Sequence, residues 1–274
     1  MSRRIEEQAR EAALAFRTQH GLGVQPIGDL ISMIEQTTGH DVAIISADTD
    51  SHGLSMRDPA TGRVYIAVAA TPHPMRQRST LAHELAHVIF EDWEGHDRDG
   101  ERPMQEIRAD AFARHLLAPS SGVQQTTERA AGDPSGHLSD VVQRYLVSPA
   151  IAAIVLADCG LISAETKTDL MGLTTYQVAA RNGWLDQYRS LQDASNRQRA
   201  PQSLLRRATA AYSEGLIGLP IIAALRGLPL ATVQAEFDDL GITPQPADPT
   251  AFELDELPAV EVDLTGLAGD EPDR

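Results

Sequence analysis

Leu81-Ala82-His83-Glu84-Leu85-Ala86-His87-Val88-Ile89 is the stretch from which the rest of the chain can be read. Side chains four apart on an α-helix share one face, so His83 and His87 can both reach a single ion. Neutral imidazole nitrogens bind zinc at about 2.0 to 2.1 Å, and a catalytic zinc site takes three protein ligands plus water. Glu84 flanks the first histidine and can take a proton from such a water. Leu81, Leu85, Val88 and Ile89 provide apolar flanks that bury the helix and keep solvent from the ion. The pattern predicts a helix from Leu81 to about Phe90, with Thr80 as its N-cap.

A third ligand is expected downstream. An Asp-, Glu- and Gly-rich loop runs from Glu91 to Arg102, and the next predicted helix begins near Pro103 and is stopped by Pro119. That helix carries Glu106-Ile107-Arg108-Ala109-Asp110, its glutamate nineteen residues after His87. Helix, loop and antiparallel helix of these lengths bring the two polar faces together, with Glu106 toward the histidines. Asp110, one turn further on, can accept the free N–H of a ligating histidine and fix its tautomer. His73, His96 and His115 are not expected to bind metal, since His115 lies nine residues from Glu106 and faces elsewhere. Tyr65 reads as core, Arg76 and Arg78 as solvated surface groups, and Cys159 as a small buried apolar residue rather than a nucleophile.

Working outward, residues from Ile5 to about Gln19 show a helical pattern, and Pro26 is expected to open a second helix that ends before Gly39. Val42 to Ile45 and Val64 to Val68 are short β-branched runs. Asp58-Pro59 and Thr61-Gly62 lie between them as turn residues, and a small antiparallel sheet is predicted. Pro72 and Pro74 close it. The Gly132–Gly136 stretch, with Pro134, is the candidate domain boundary. Beyond it, helices are expected over Leu138–Leu146, Pro149–Asp158, Gln202–Glu214, Leu219–Arg226 and Leu230–Leu240. The first two resemble a helix-turn-helix with Val147-Ser148-Pro149 at the turn. Its second helix reads Ala150-Ile151-Ala152-Ala153-Ile154-Val155, with no cation to meet DNA, so it reads as a packing or partner-docking module.

Taken together, these motifs are similar to those of the ImmA/IrrE metallopeptidases. The likeness runs from Ser79-Thr80-Leu81-Ala82-His83-Glu84-Leu85-Ala86-His87 through Glu106-Ile107-Arg108-Ala109-Asp110-Ala111-Phe112-Ala113. It closes on Leu116-Leu117-Ala118-Pro119, extends to Pro26-Ile27 and Leu146-Val147-Ser148, and covers roughly the first 165 residues. Its motifs are specific together rather than singly. This chain departs from the pattern at Ala86, where the family often has Gly, and at Asp110, where it often has Asn; neither change removes a ligand. The resemblance implies that His83, His87 and Glu106 hold zinc and that Glu84 is the catalytic base. It further implies that the substrate is a helix-turn-helix repressor of stress or mobile-element genes. The alternative is a non-enzymatic scaffold that binds and sequesters such a repressor.

The expected architecture is therefore α+β. A zincin-like domain over 1–130 is followed by a mainly helical region over 131–245 and an acidic, disordered tail over 246–274. Composition agrees with a globular protein: 42% of residues are hydrophobic and 23% charged. Net charge is −16, which disfavours general affinity for phosphate backbones. Cys159 is the single cysteine, so no intrachain disulfide can form. No stretch approaches the ~20 apolar residues of a membrane span, and Met1-Ser2-Arg3-Arg4 opens no signal peptide, so a cytoplasmic setting is expected.

Overall fold

Asp29 decides where the second helix starts. Its carboxylate accepts from the Ser32 backbone N–H at 2.9 Å and from the Ser32 hydroxyl at 2.6 Å, satisfying groups that an uncapped first turn leaves bare. In the computed structural model, which describes residues 2–47, 53–93, 103–128 and 133–245, α1 (Ser2–Gln19) is followed by α2 (Leu30–Thr38). Pro26 thus precedes the helix rather than opening it. Gly39 ends α2 as expected, at φ 71°, a left-handed conformation that glycine adopts without strain.

The sheet is mixed rather than antiparallel. Strand β1 (Asp41–Ile45) pairs in parallel with β3 (Val64–Ala69), and β2 (Leu54–Arg57) pairs antiparallel with β3, in the order β1-β3-β2. After β1 the chain lays β2 on the far edge and returns into the centre, which makes β1 and β3 parallel. The turn residues close this hairpin: Asp58 N donates to Arg63 O and Gly62 N to Asp58 O, both at 2.8 Å. Val64, Ile66 and Val68 face the core. Tyr65 lies half-buried on the other face of β3, so it is not the core aromatic it was read to be.

Helix α3 (Pro74–Ile89) starts well before Thr80. Pro74 stands in its first turn, where proline's fixed φ suits the helix and its missing N–H costs nothing. Thr80 therefore lies inside the helix, not at its cap. Helix α4 (Met104–Leu117) spans almost the stretch expected of it and packs closely along α3. α5 (Ser120–Glu128) follows, an element without a clear apolar period.

The helices that come next are α6 (Pro134–Tyr145), α7 (Pro149–Asp158), α8 (Ala164–Met171), α9 (Thr175–Arg181), α10 (Leu185–Ser195), α11 (Gln202–Ser213), α12 (Leu219–Arg226) and α13 (Leu230–Leu240). Pro134, in the stretch expected as the domain boundary, sits in the first turn of α6 behind the Asp133 cap. One apolar core runs from Ala9 on α1 to Tyr188 on α10, so packing does not divide near residue 130. A second cluster, centred on Tyr212, Ile222, Val233 and Phe237, belongs to α11–α13. Arg199 joins the two by exchanging backbone hydrogen bonds with Ile44 and pairing with Glu35 at 2.8 Å. No single helix among the described residues is long and apolar enough to cross a membrane. The acidic tail and His96 lie outside the described residues.

Candidate metal centre

Helix α3 turns His83 and His87 the same way, so that their Nε2 atoms stand 3.0 Å apart. From α4, Glu106 brings Oε2 to 3.2 Å from His83 Nε2 and Oε1 to 3.3 Å from His87 Nε2. Donors held tetrahedrally at about 2.0 to 2.1 Å from an ion are about 3.3 Å from one another. The triangle therefore has the size an ion requires, and two imidazoles with a carboxylate suit a divalent transition metal. The Glu106 side chain is 27% exposed while that of His87 is 8% exposed, which leaves the outer side of the centre open to a cleft of about 1460 Å³. The three residues expected as ligands are thus brought together.

Carboxylates hold both rings from behind. Asp110 Oδ1 lies 2.8 Å from His83 Nδ1, as its place one turn beyond Glu106 suggested. Burial by itself disfavours a charged His83, but Asp110, Glu106 and Glu84 outweigh it and raise the imidazole's proton affinity. His87 has a partner that the sequence reading missed: Asp92 Oδ2 lies 3.4 Å from its Nδ1. Arg108 fixes that carboxylate with contacts of 2.8 and 2.9 Å while its guanidinium lies 3.9 Å above the Phe90 ring centre. With each Nδ1 engaged, Nε2 is the nitrogen presented to an ion.

Asp92 reaches His87 because α3 ends abruptly. Glu91 takes a left-handed φ of 56°, Asp92 N donates to His87 O at 2.9 Å, and Glu91 N donates to Val88 O at 3.2 Å. This is a Schellman-type closure with glutamate where glycine is usual. The only sequence signal for it is an acid five residues after the second histidine. Ring-orienting carboxylates typically contribute 10- to 100-fold in metal affinity or activity. Asp110→Ala and Asp92→Asn are each expected to weaken metal binding by about that factor, read by competition with a chromophoric chelator. Unchanged affinity in both variants would remove the two carboxylates from the centre.

Glu84, adjacent to His83, is 6% exposed. Burial pushes its carboxyl above the usual range, opposed by a hydrogen bond from the Ser55 hydroxyl and by the two imidazoles. The remaining expectations separate clearly. His115 turns away from the centre, with Nε2 2.7 Å from Glu6 Oε1 on α1. Arg78 points away too, donating to the Ile27 and Gly28 carbonyls, and its burial lowers its pKa to about 10. Arg76 is exposed on the cleft wall, as is His73. Cys159 is half-buried, and desolvation raises its thiol pKa, as in a packing residue rather than a nucleophile.

The opposite wall of the cleft comes from the helix-turn-helix-like pair. Leu146 at φ 53° and the Ser148 cap join α6 and α7 at a bend of 115°. Ala152, Ala153, Val155 and Leu156 pack into the core, while Ile151 and Ile154 face the cleft. Residues 37–156, from the end of α2 into α7, match the model of a known family described as Peptidase M78, IrrE N-terminal-like domain. No curated protein matches the chain.

Proposed function

We propose that the protein is a zinc-dependent endopeptidase acting on a helix-turn-helix repressor, a reading supported by the match of residues 37–156 to the IrrE N-terminal-like domain of the Peptidase M78 family. The observation that carries the reading is the triangle of His83, His87 and Glu106 donor atoms, all within 4.8 Å of one another, with Glu84 beside it. Small-molecule sites typically enclose about 300 to 1,000 Å³. A cleft of about 1460 Å³ suits a length of polypeptide better. The repressor as substrate rests on the family resemblance, and the setting we propose is the cytoplasm, where such repressors act.

Bound by His83, His87 and Glu106, zinc would polarise the scissile carbonyl and lower the pKa of its water toward ~7. Glu84 takes the proton from the attacking water and passes it to the leaving amide nitrogen. Asp110 and Asp92 keep the imidazoles turned inward. Strand β2 is at the sheet edge among the described residues, and an extended substrate can pair with such an edge by backbone hydrogen bonds. Ile151, Ile154 and Leu54 offer apolar contacts for its side chains.

The test is to incubate the purified protein with the repressor encoded at the same locus, with zinc, with chelator, and with zinc restored. Mass spectrometry is expected to find one new pair of termini in the zinc arms alone. A stable complex with uncleaved repressor under every metal condition would instead make the protein a sequestering scaffold.

A further inference from the structure

Gly53 enters β2 directly against Glu84. A Cβ at position 53 would lie 2.4 Å from Glu84 Cγ, 2.6 Å from Oε1 and 2.8 Å from Cδ. Carbon atoms do not approach so closely, so with any other residue there either the Glu84 side chain or the backbone entering β2 must shift. Gly53 is not among the glycines with positive φ, so its backbone does not require glycine. Space beside the carboxylate does.

Ser55 lies on the same side of the strand, two residues on. It stands opposite Ile66 in the antiparallel register, and Ile66 is buried, so this face of β2 looks inward. Its hydroxyl lies beside the Glu84 carboxylate and favours the charged form. Leu54 and Met56, opposite Ala67 and Tyr65, face the other way and are 56% and 50% exposed. Strand β2 and the glycine before it thus present to Glu84 one residue with no side chain and one short donor, while Leu54 and Met56 point outward.

We propose that Gly53 and Ser55 are positioning residues for Glu84, the first limiting where the carboxylate can sit and the second fixing its rotation before substrate arrives. The inference rests on Glu84 being the base, as proposed above. A glutamate has three rotatable torsions, and a group displaced by about 1 Å can lose on the order of 10²-fold in rate. Packing at Gly53 and the Ser55 hydroxyl beside the carboxylate limit that freedom.

The experiment uses the full-length, zinc-loaded protein with Gly53→Ala, Ser55→Ala and Ser55→Thr, and the repressor that wild type cleaves. Gly53→Ala and Ser55→Ala are expected to lower kcat about 10- to 100-fold, with KM within about twofold and zinc stoichiometry unchanged. Ser55→Thr, which keeps the hydroxyl, recovers most of kcat. Crystal structures of metal-loaded wild type and Gly53→Ala provide a readout apart from turnover, in which the Glu84 carboxylate is displaced by about 1 Å or more. Wild-type kcat in both Gly53→Ala and Ser55→Ala overturns the proposal. So does an unmoved Glu84 in the Gly53→Ala crystal, or a loss of activity that follows loss of zinc or of the fold. If wild type cleaves nothing, the proposed function fails, and the crystal comparison still decides whether Gly53 holds Glu84.

Discussion

Glu84→Gln is expected to keep a full complement of zinc and to cleave its substrate at least about a hundredfold more slowly than wild type. The amide has nearly the shape of the carboxylate and can still accept from the Ser55 hydroxyl, but it cannot act as a base at neutral pH. General-base contributions run to about 10² to 10⁴ in rate. The fold should not suffer, because Glu84 is buried and burial disfavours its charged form. Its neutral isostere should melt no lower than wild type. Since the cleft is unchanged, the variant should hold its substrate uncleaved, and a pull-down scored for bound partner and product reads both effects. Cleavage at the wild-type rate would dismiss Glu84 as the base.

Loss of either histidine should be as severe for the metal. His83→Ala or His87→Ala leaves one imidazole and one carboxylate of the triangle, and stoichiometric zinc should be gone after dialysis. Glu106→Ala, which leaves both imidazoles on α3, should weaken binding without abolishing it. A ligand present at about 100 times its Kd stabilises the native state by about 2.7 kcal/mol. The thermal shift that zinc gives wild type should therefore vanish in both histidine variants. Full zinc retention in Glu106→Ala would mean that a different group completes the centre.

The parts of this site that were legible in the sequence are those set by local geometry. His83, Glu84 and His87 share a helix, so their spacing alone fixes their relation. Glu106 and Asp110 needed only the further inference that two neighbouring helices fold back on each other. Asp92 depended on Glu91 adopting a conformation that non-glycine residues avoid, and nothing in a single sequence marks such a position. Gly53 and Ser55 depended on the pairing of β2, a four-residue strand in which all but Ser55 are exposed and whose pattern is too short to show a period. Pairing between strands is also a long-range choice, which is why β1 and β3 could be found as strands while their parallel direction could not. Helix starts were misplaced where proline and a side-chain cap competed, as at Pro26 against Asp29 and at Thr80 against Pro74.

The closure of α3 would tie the residence time of an ion held by His83, His87 and Glu106 to the breathing of a helix end. Terminal turns open more readily than helix interiors. Opening at Glu91 would break the amide bonds to Val88 and His87 and carry Asp92 away from the ring it steadies. An L-residue held left-handed disfavours the closed turn by about 1 to 2 kcal/mol, which glycine would not. The off-rate of such an ion would then be set partly by an ordinary fraying event, several residues removed from any ligand atom.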